Sequence, residues 1–169
     1  MSSTMVQCLS RATTATFEEL ALLFPDQELT PDQAAAPLDV AVSVEFRGPV
    51  IGRLIVRISS TLLPTIAANM LGEQGARQAP LQRDAFGEIA NVICGNVLPA
   101  ICGAEAVFHL QAPYLSAAGG DVSARPADEP QARVEIGLEQ GRAEVSLFHF
   151  APRVASDEQA VPSLKATAA

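Results

Sequence analysis

The sequence predicts an α+β fold, an antiparallel β-sheet packed against helices, on three observations. Two pairs of short stretches, at 39–59 and 132–150, alternate apolar and polar residues with the period of a half-buried strand. Between them, residues 84–103 (DAFGEIANVICGNVLPAICG) repeat their apolar positions at helical spacing. Hydrophobic residues make up 49% of the 169 and charged ones only 18%, enough for a genuine, mostly aliphatic core.

Taken in order, residues 1–15 are rich in Ser, Thr and Ala without a sustained period and are expected to be a flexible N-terminal segment. Thr16 and Glu19 have capping-box spacing ahead of Leu20, Leu22, Leu23 and Phe24, so a helix is expected to start there and to stop at Pro25. The run 25–37, with three prolines and several acids, reads as a loop. Val40, Val42, Val44 and Phe46 alternate with Ala41, Ser43, Glu45 and Arg47; Gly48 and Pro49 turn the chain, and a second strand runs to about Ser59 as an antiparallel partner.

A short helix follows, with Leu62, Leu63, Ile66, Ala67, Met70 and Leu71 at helical spacing, Pro64 in its first turn and Gly72 just past its end. Residues 73–80 are a polar connector. After the long helix, 105–111 suggests a strand, 115–130 a surface loop, and 132–138 with 143–150 a last hairpin turning at Gln140 and Gly141. The main domain is thus expected over 16–153, with a disordered tail at 154–169.

Within the long helix, positions 84, 88, 91 and 95 fall within roughly 60° of one another on a helical wheel. Asp84, Glu88, Asn91 and Gly95 therefore share one stripe, opposite an apolar band of Phe86, Ile89, Ala90, Ile93, Val97, Ala100 and Ile101. A solvated helix face accounts for the acids, and Asp84 near the helix start suits the dipole. It accounts less well for Asn91, a mediocre mid-helix residue, or for Gly95, which costs about 1 kcal/mol relative to Ala in a helix interior. A missing side chain on an outward stripe permits close approach, so the combination points to a docking face. Pro99 removes one backbone bond, which predicts a kink or break near Gly95.

Composition excludes several classes. The net charge of −8 opposes binding to a phosphate backbone, so nucleic acid is not an expected partner. Cys8, Cys94 and Cys102 lack metal-site spacing and are odd in number, which predicts reduced thiols and a cytoplasmic setting, and the core-like surroundings of Cys94 and Cys102 predict that these two are buried. No uninterrupted apolar run has the length of a membrane span. His109 and His149 lie in strand-like runs and read as structural residues. Neither a Ser-His-Asp arrangement nor a phosphate-binding glycine loop is present.

The spacing Asp84-x3-Glu88-x2-Asn91, followed by Gly95 and Asn96, resembles the signature of the CheC, CheX and FliY phosphatases of bacterial chemotaxis. The order around it is similar too: a hairpin (VEFRGPVIGRLIVRI), a short helix ending in Met-Leu-Gly, then the signature helix, over roughly residues 15 to 150. The resemblance implies a CheC-like fold and dephosphorylation of the phospho-aspartate of a CheY-like receiver domain. Glu88 would contact the receiver's active-site lysine and Asn91 would enter its phosphorylation site to orient the attacking water, with Asp84 and Gly95 supporting the contact. The resemblance implies no cofactor bound by this chain, magnesium being carried by the receiver. An uncharged amide suits that task, because an acyl phosphate is already activated and needs chiefly an in-line water. CheC-type members carry two signatures. Here Glu18 and Glu19 have no Asn three residues later, which places the resemblance with the single-site CheX-like branch and implies a possible homodimer. A non-catalytic adaptor for a receiver domain, or a flagellar-switch assembly module, would use the same stripe as an interface.

Overall fold

In the computed structural model, residues 3–117 and 129–152 are described. Six strands form one antiparallel sheet: β1 (Val40–Arg47), β2 (Val50–Ile58), β3 (His109–Leu110), β4 (Tyr114–Ala117), β5 (Ala132–Leu138) and β6 (Gly141–Pro152). Their order is β3-β1-β2-β6-β5, and β4 also pairs with β1. The register follows the alternation in the sequence: Val42 faces Val56, Val44 faces Leu54, and Val134 faces Val145. These side chains are buried on one side of the sheet.

Among the described residues, five α-helices accompany the sheet: α1 (Ser3–Ala21), α2 (Pro31–Ala35), α3 (Leu63–Leu71), α4 (Glu73–Arg77) and α5 (Ala79–Cys102). Phe17 of α1, Ile66 of α3 and Phe86, Ile89 and Ile93 of α5 join Val42, Leu54 and Val145 in one core cluster. Removing a large member of such a cluster costs about 3–5 kcal/mol. The other sheet side carries Ala41, Ile55 and Phe148 as a small second cluster, flanked by the Arg57–Glu144 ion pair at 2.9 Å.

Several expectations are corrected. The segment expected to be flexible over 1–15 is helical from Ser3, because Leu9, Ala12, Thr13, Thr16 and Phe17 form a buried stripe at helical spacing. Thr16 is consequently no cap; deep in α1, its hydroxyl donates to the Ala12 carbonyl at 2.7 Å. The helix ends at Ala21, ahead of Leu22 at φ 51°, rather than at Pro25. The capping box lies instead at Thr30 and Gln33, where Thr30 Oγ1 accepts from the Gln33 N–H and Gln33 Oε1 accepts from the Thr30 N–H, starting α2 inside the expected loop. The connector 73–80 contains α4, and the strand expected over 105–111 shrinks to β3. The loop expected from 115 begins with β4, which adds to β1 through Val42–Leu115 and Ser43–Tyr114 pairs. The tail at 154–169 lies outside the described residues.

The short helix is as read, with Pro64 in its first turn and Gly72 at φ 85° closing it. A single 3-10 turn, Ser60–Leu62, precedes it. Asp39 anchors that turn, its carboxylate accepting from the Ser60 N–H and hydroxyl, both at 2.7 Å. These bonds favour the charged form and hold the Asp39 carboxyl below its ordinary value. The last hairpin turns one residue early, with Glu139 at φ 47°.

Candidate functional site

Helix α5 starts earlier than its polar stripe. Pro80 occupies its first turn, where a missing N–H costs nothing, and Gly103 at φ 97° ends it. Asp84 therefore sits in the second turn rather than at the dipole's end. The helix runs unbroken through Pro99 to Cys102, so the expected break does not occur. Pro99 still has no N–H to offer the carbonyl of Gly95 one turn earlier. By length and composition α5 would also suffice to cross a membrane, which a search for uninterrupted runs overlooks because Asp84 and Glu88 divide it. Half of its most apolar window is buried inside the protein, against the sheet and α1.

The burial of successive residues resolves the stripe. Asp84, Glu88, Gly95 and Asn96 are exposed, whereas Ala85, Phe86, Gly87, Ile89, Ala90, Ile93, Cys94, Val97 and Leu98 are buried. Ala100, expected in the apolar band, is exposed as the last turn emerges. Asn91 departs from the expectation of an outward amide. It is half-buried, and its Oδ1 is shut off from solvent with no hydrogen-bond partner among the described residues. The helical wheel explains its position: Asn91 lies on the edge of the stripe nearest Gly87, Cys94 and Leu98, all of them buried. A buried carbonyl oxygen left unpaired costs about 1–3 kcal/mol, which favours turning the amide outward, and only after that turn can a donor from outside the chain reach Oδ1.

Gly95 marks the open side. No atom outside its own helical surroundings lies within 4 Å of the point where a Cβ would stand. The result is an exposed carboxylate, a carboxamide at its edge and a bare patch of helix backbone, all within three turns.

The other candidates fare differently. Cys94 is enclosed, and burial pushes its thiol up to about 12. Cys102 is half-buried rather than buried, and burial also raises its thiol; Cys8 is half-buried too. His109 is exposed on the edge strand β3, not a packed structural residue. The side chain of His149 lies outside the described residues. Among the described residues, no group of three or more His, Cys, Asp or Glu is placed to hold a metal ion.

The fold defines a class, that of the CheX and CheC-like chemotaxis proteins. The chain is similar to CheX from Vibrio vulnificus with a TM-score of 0.67 at 18% identity, over 85% of this chain and 95% of that one. It is similar to CheX from Desulfovibrio desulfuricans with a TM-score of 0.65 at 18% identity, over 87% and 99%. It is also similar to a CheX–CheY–BeF3–Mg2+ complex from Borrelia burgdorferi, with a TM-score of 0.58 at 15% identity, over 85% and 96%. At such identities these likenesses establish the fold. No curated protein sequence matches. The family follows from the sequence itself: residues 40–136 match the chemotaxis phosphatase CheX family, and the chain belongs to it.

Proposed function

We propose that this chain hydrolyses the aspartyl phosphate of a CheY-like receiver domain, with Glu88 as the docking carboxylate and Asn91 as the residue that orients the attacking water. The observation that carries the reading is the placement on α5: Glu88 in solvent, Asn91 less than one turn away with an unpartnered Oδ1, and Gly95 leaving the adjacent helix surface bare. Family membership supports it, as does a fold relative whose structure is a complex with CheY, BeF3 and Mg2+.

The chemistry asks little of the chain. Water attacks phosphorus in line, the bond from phosphorus to the aspartyl oxygen breaks, and a carboxylate leaves. Once turned outward from its enclosed position, the acceptor oxygen of a neutral amide aligns that water without repelling the phosphoryl oxygens. Magnesium, which neutralises the phosphoryl charge, belongs to the receiver. Glu88 offers a charge for a cationic receiver side chain, and Asp84 adds to the same negative field. We place the reaction in the cytoplasm, and we propose a homodimer as the working state, which light scattering tests.

The direct test follows the decay of phosphate on a purified receiver, with Mg2+, in the presence and absence of the chain. Faster decay with the chain supports the proposal; an unchanged lifetime refutes it. The half-burial of Asn91 favours a second reading, a non-catalytic adaptor. Binding to the phosphorylated receiver without shortening its lifetime identifies that case.

A further inference from the structure

Helix α1 ends in a conformation that its sequence does not favour. Leu22 stands just past Ala21 at φ 51°, in the left-handed region where helix ends commonly place a glycine and where a larger side chain is disfavoured. The turn serves its neighbour: Leu23 is buried in the core, and its N–H donates to the Phe17 carbonyl at 3.0 Å. Leu22 itself gains no such burial. It is 57% exposed, and Phe24, on the far side of Leu23 in the chain, is 69% exposed. Asn69 ties a third apolar group to this end of the helix layer, since its Nδ2 donates to the Ala21 carbonyl at 2.6 Å and Leu71, two residues on in α3, is 49% exposed. A backbone that holds a leucine in a glycine's conformation and leaves it in water carries a local cost of the kind that persists where the side chain has a task outside the fold.

Charge narrows the choice of occupant. Residues 12–46 hold seven Asp and Glu and no Lys or Arg, and Glu19, Glu28 and, just after Leu71, Glu73 are exposed. Two copies of the chain meeting through the same patch would set these acids against one another, and an anionic lipid surface would repel them. An apolar centre with an acidic rim fits a positively charged segment that brings its own apolar face. We propose that Leu22, Phe24 and Leu71 form a docking patch for a basic amphipathic helix of another protein. The patch lies on elements other than α5, and the proposal stands whether or not the chain is a phosphatase.

The test uses the full chain and a fluorescein-labelled synthetic peptide of Leu and Lys, its Leu residues at helical spacing, titrated by anisotropy against wild type, Leu22→Gly and Phe24→Ser. A second peptide has the same composition with its Leu residues spread around the helix. Saturable binding of the first peptide to wild type is expected, weakened about tenfold or more in each variant, and the second peptide is expected to bind wild type about tenfold or more weakly than the first. Leu22→Gly relieves the left-handed backbone, so it is expected to unfold at the wild-type temperature or above. A lower unfolding temperature shows that Leu22 serves the fold and overturns the premise. No saturable binding, or wild-type affinity in both variants, overturns the patch, and equal binding of the two peptides overturns it in favour of charge alone. Leu22-dependent binding to phosphatidylcholine vesicles in place of the peptide overturns the choice of a protein partner.

Discussion

Replacing Gly95 by Ala separates a docking glycine from a merely exposed one, because the two effects it predicts have opposite signs. In the free protein the change is favourable. The added methyl meets nothing within 4 Å, the position lies inside α5, and a Gly to Ala change in a helix interior is worth about 1 kcal/mol. For a chain of this length that corresponds to a rise in Tm of about 2–4 °C. In the proposed complex the same methyl would stand where the receiver approaches bare backbone. Adding a methylene-sized group to a packed contact costs about 1–3 kcal/mol, and KM for the phosphorylated receiver is expected to rise about five- to a hundredfold. Thermal unfolding by circular dichroism and steady-state receiver dephosphorylation read the two effects separately. A variant that is more stable and has an unaltered KM refutes the docking role of this flank. A fall in Tm refutes the description of Gly95 as sterically free.

Glu88→Gln keeps the size of an exposed side chain and removes its charge, so KM is expected to rise by about tenfold and its salt dependence to flatten, with kcat little changed; a salt dependence like that of the wild type contradicts the assignment. Cys94, enclosed and with its thiol pushed up to about 12, is expected to resist maleimide at pH 8 in the native protein, as peptide mass mapping reads it. Labelling of Cys94 as fast as of the half-buried Cys8 contradicts its burial. Asp39 has a folded-state pKa below its ordinary 3.8, so its contribution is present above that value and is lost as pH falls through the lower, folded value. The stability gap between wild type and Asp39→Asn, about 1 kcal/mol by analogy with other charge-assisted bonds, is expected to be full at pH 7 and to close in acid. Urea unfolding across pH checks it, and a gap that widens in acid reverses the sign and contradicts the account.

The central hairpin, the short helix closed by Gly72, and α5 were legible because each carries a strong local period and its own stop signal. α1 was not. Its buried stripe, Leu9, Ala12, Thr13, Thr16 and Phe17, has helical spacing, but small Ala and Thr residues supply most of it and their hydropathy barely rises above the background. Small residues let α1 and α5 come close, so the feature that hid the helix also serves its packing. The capping box at Thr30 and Gln33 was present in the sequence, yet the prolines around it outweighed it. β3 and β4 depend on β1 for their identity as strands, and two- and four-residue edges carry too little period to be found locally.

The site was legible in part for a similar reason. Spacing alone places Asp84, Glu88, Asn91 and Gly95 on one stripe, and the burial of Ile89 and Ile93 shows which way the helix faces. Spacing says nothing of what lies beside the stripe. That the place of a Cβ at Gly87 lies against Pro113 and that Asn91 Oδ1 is enclosed are tertiary facts, which local spacing does not carry.

The most direct measurement pairs the dephosphorylation rate of Asn91→Ala with its affinity for the receiver. Removing the group that aligns the water, without touching the docking carboxylate, is expected to lower kcat by about a hundredfold or more and to leave Kd nearly unchanged. An Asn91→Ala protein that binds the receiver and turns it over at the wild-type rate contradicts the account at its centre.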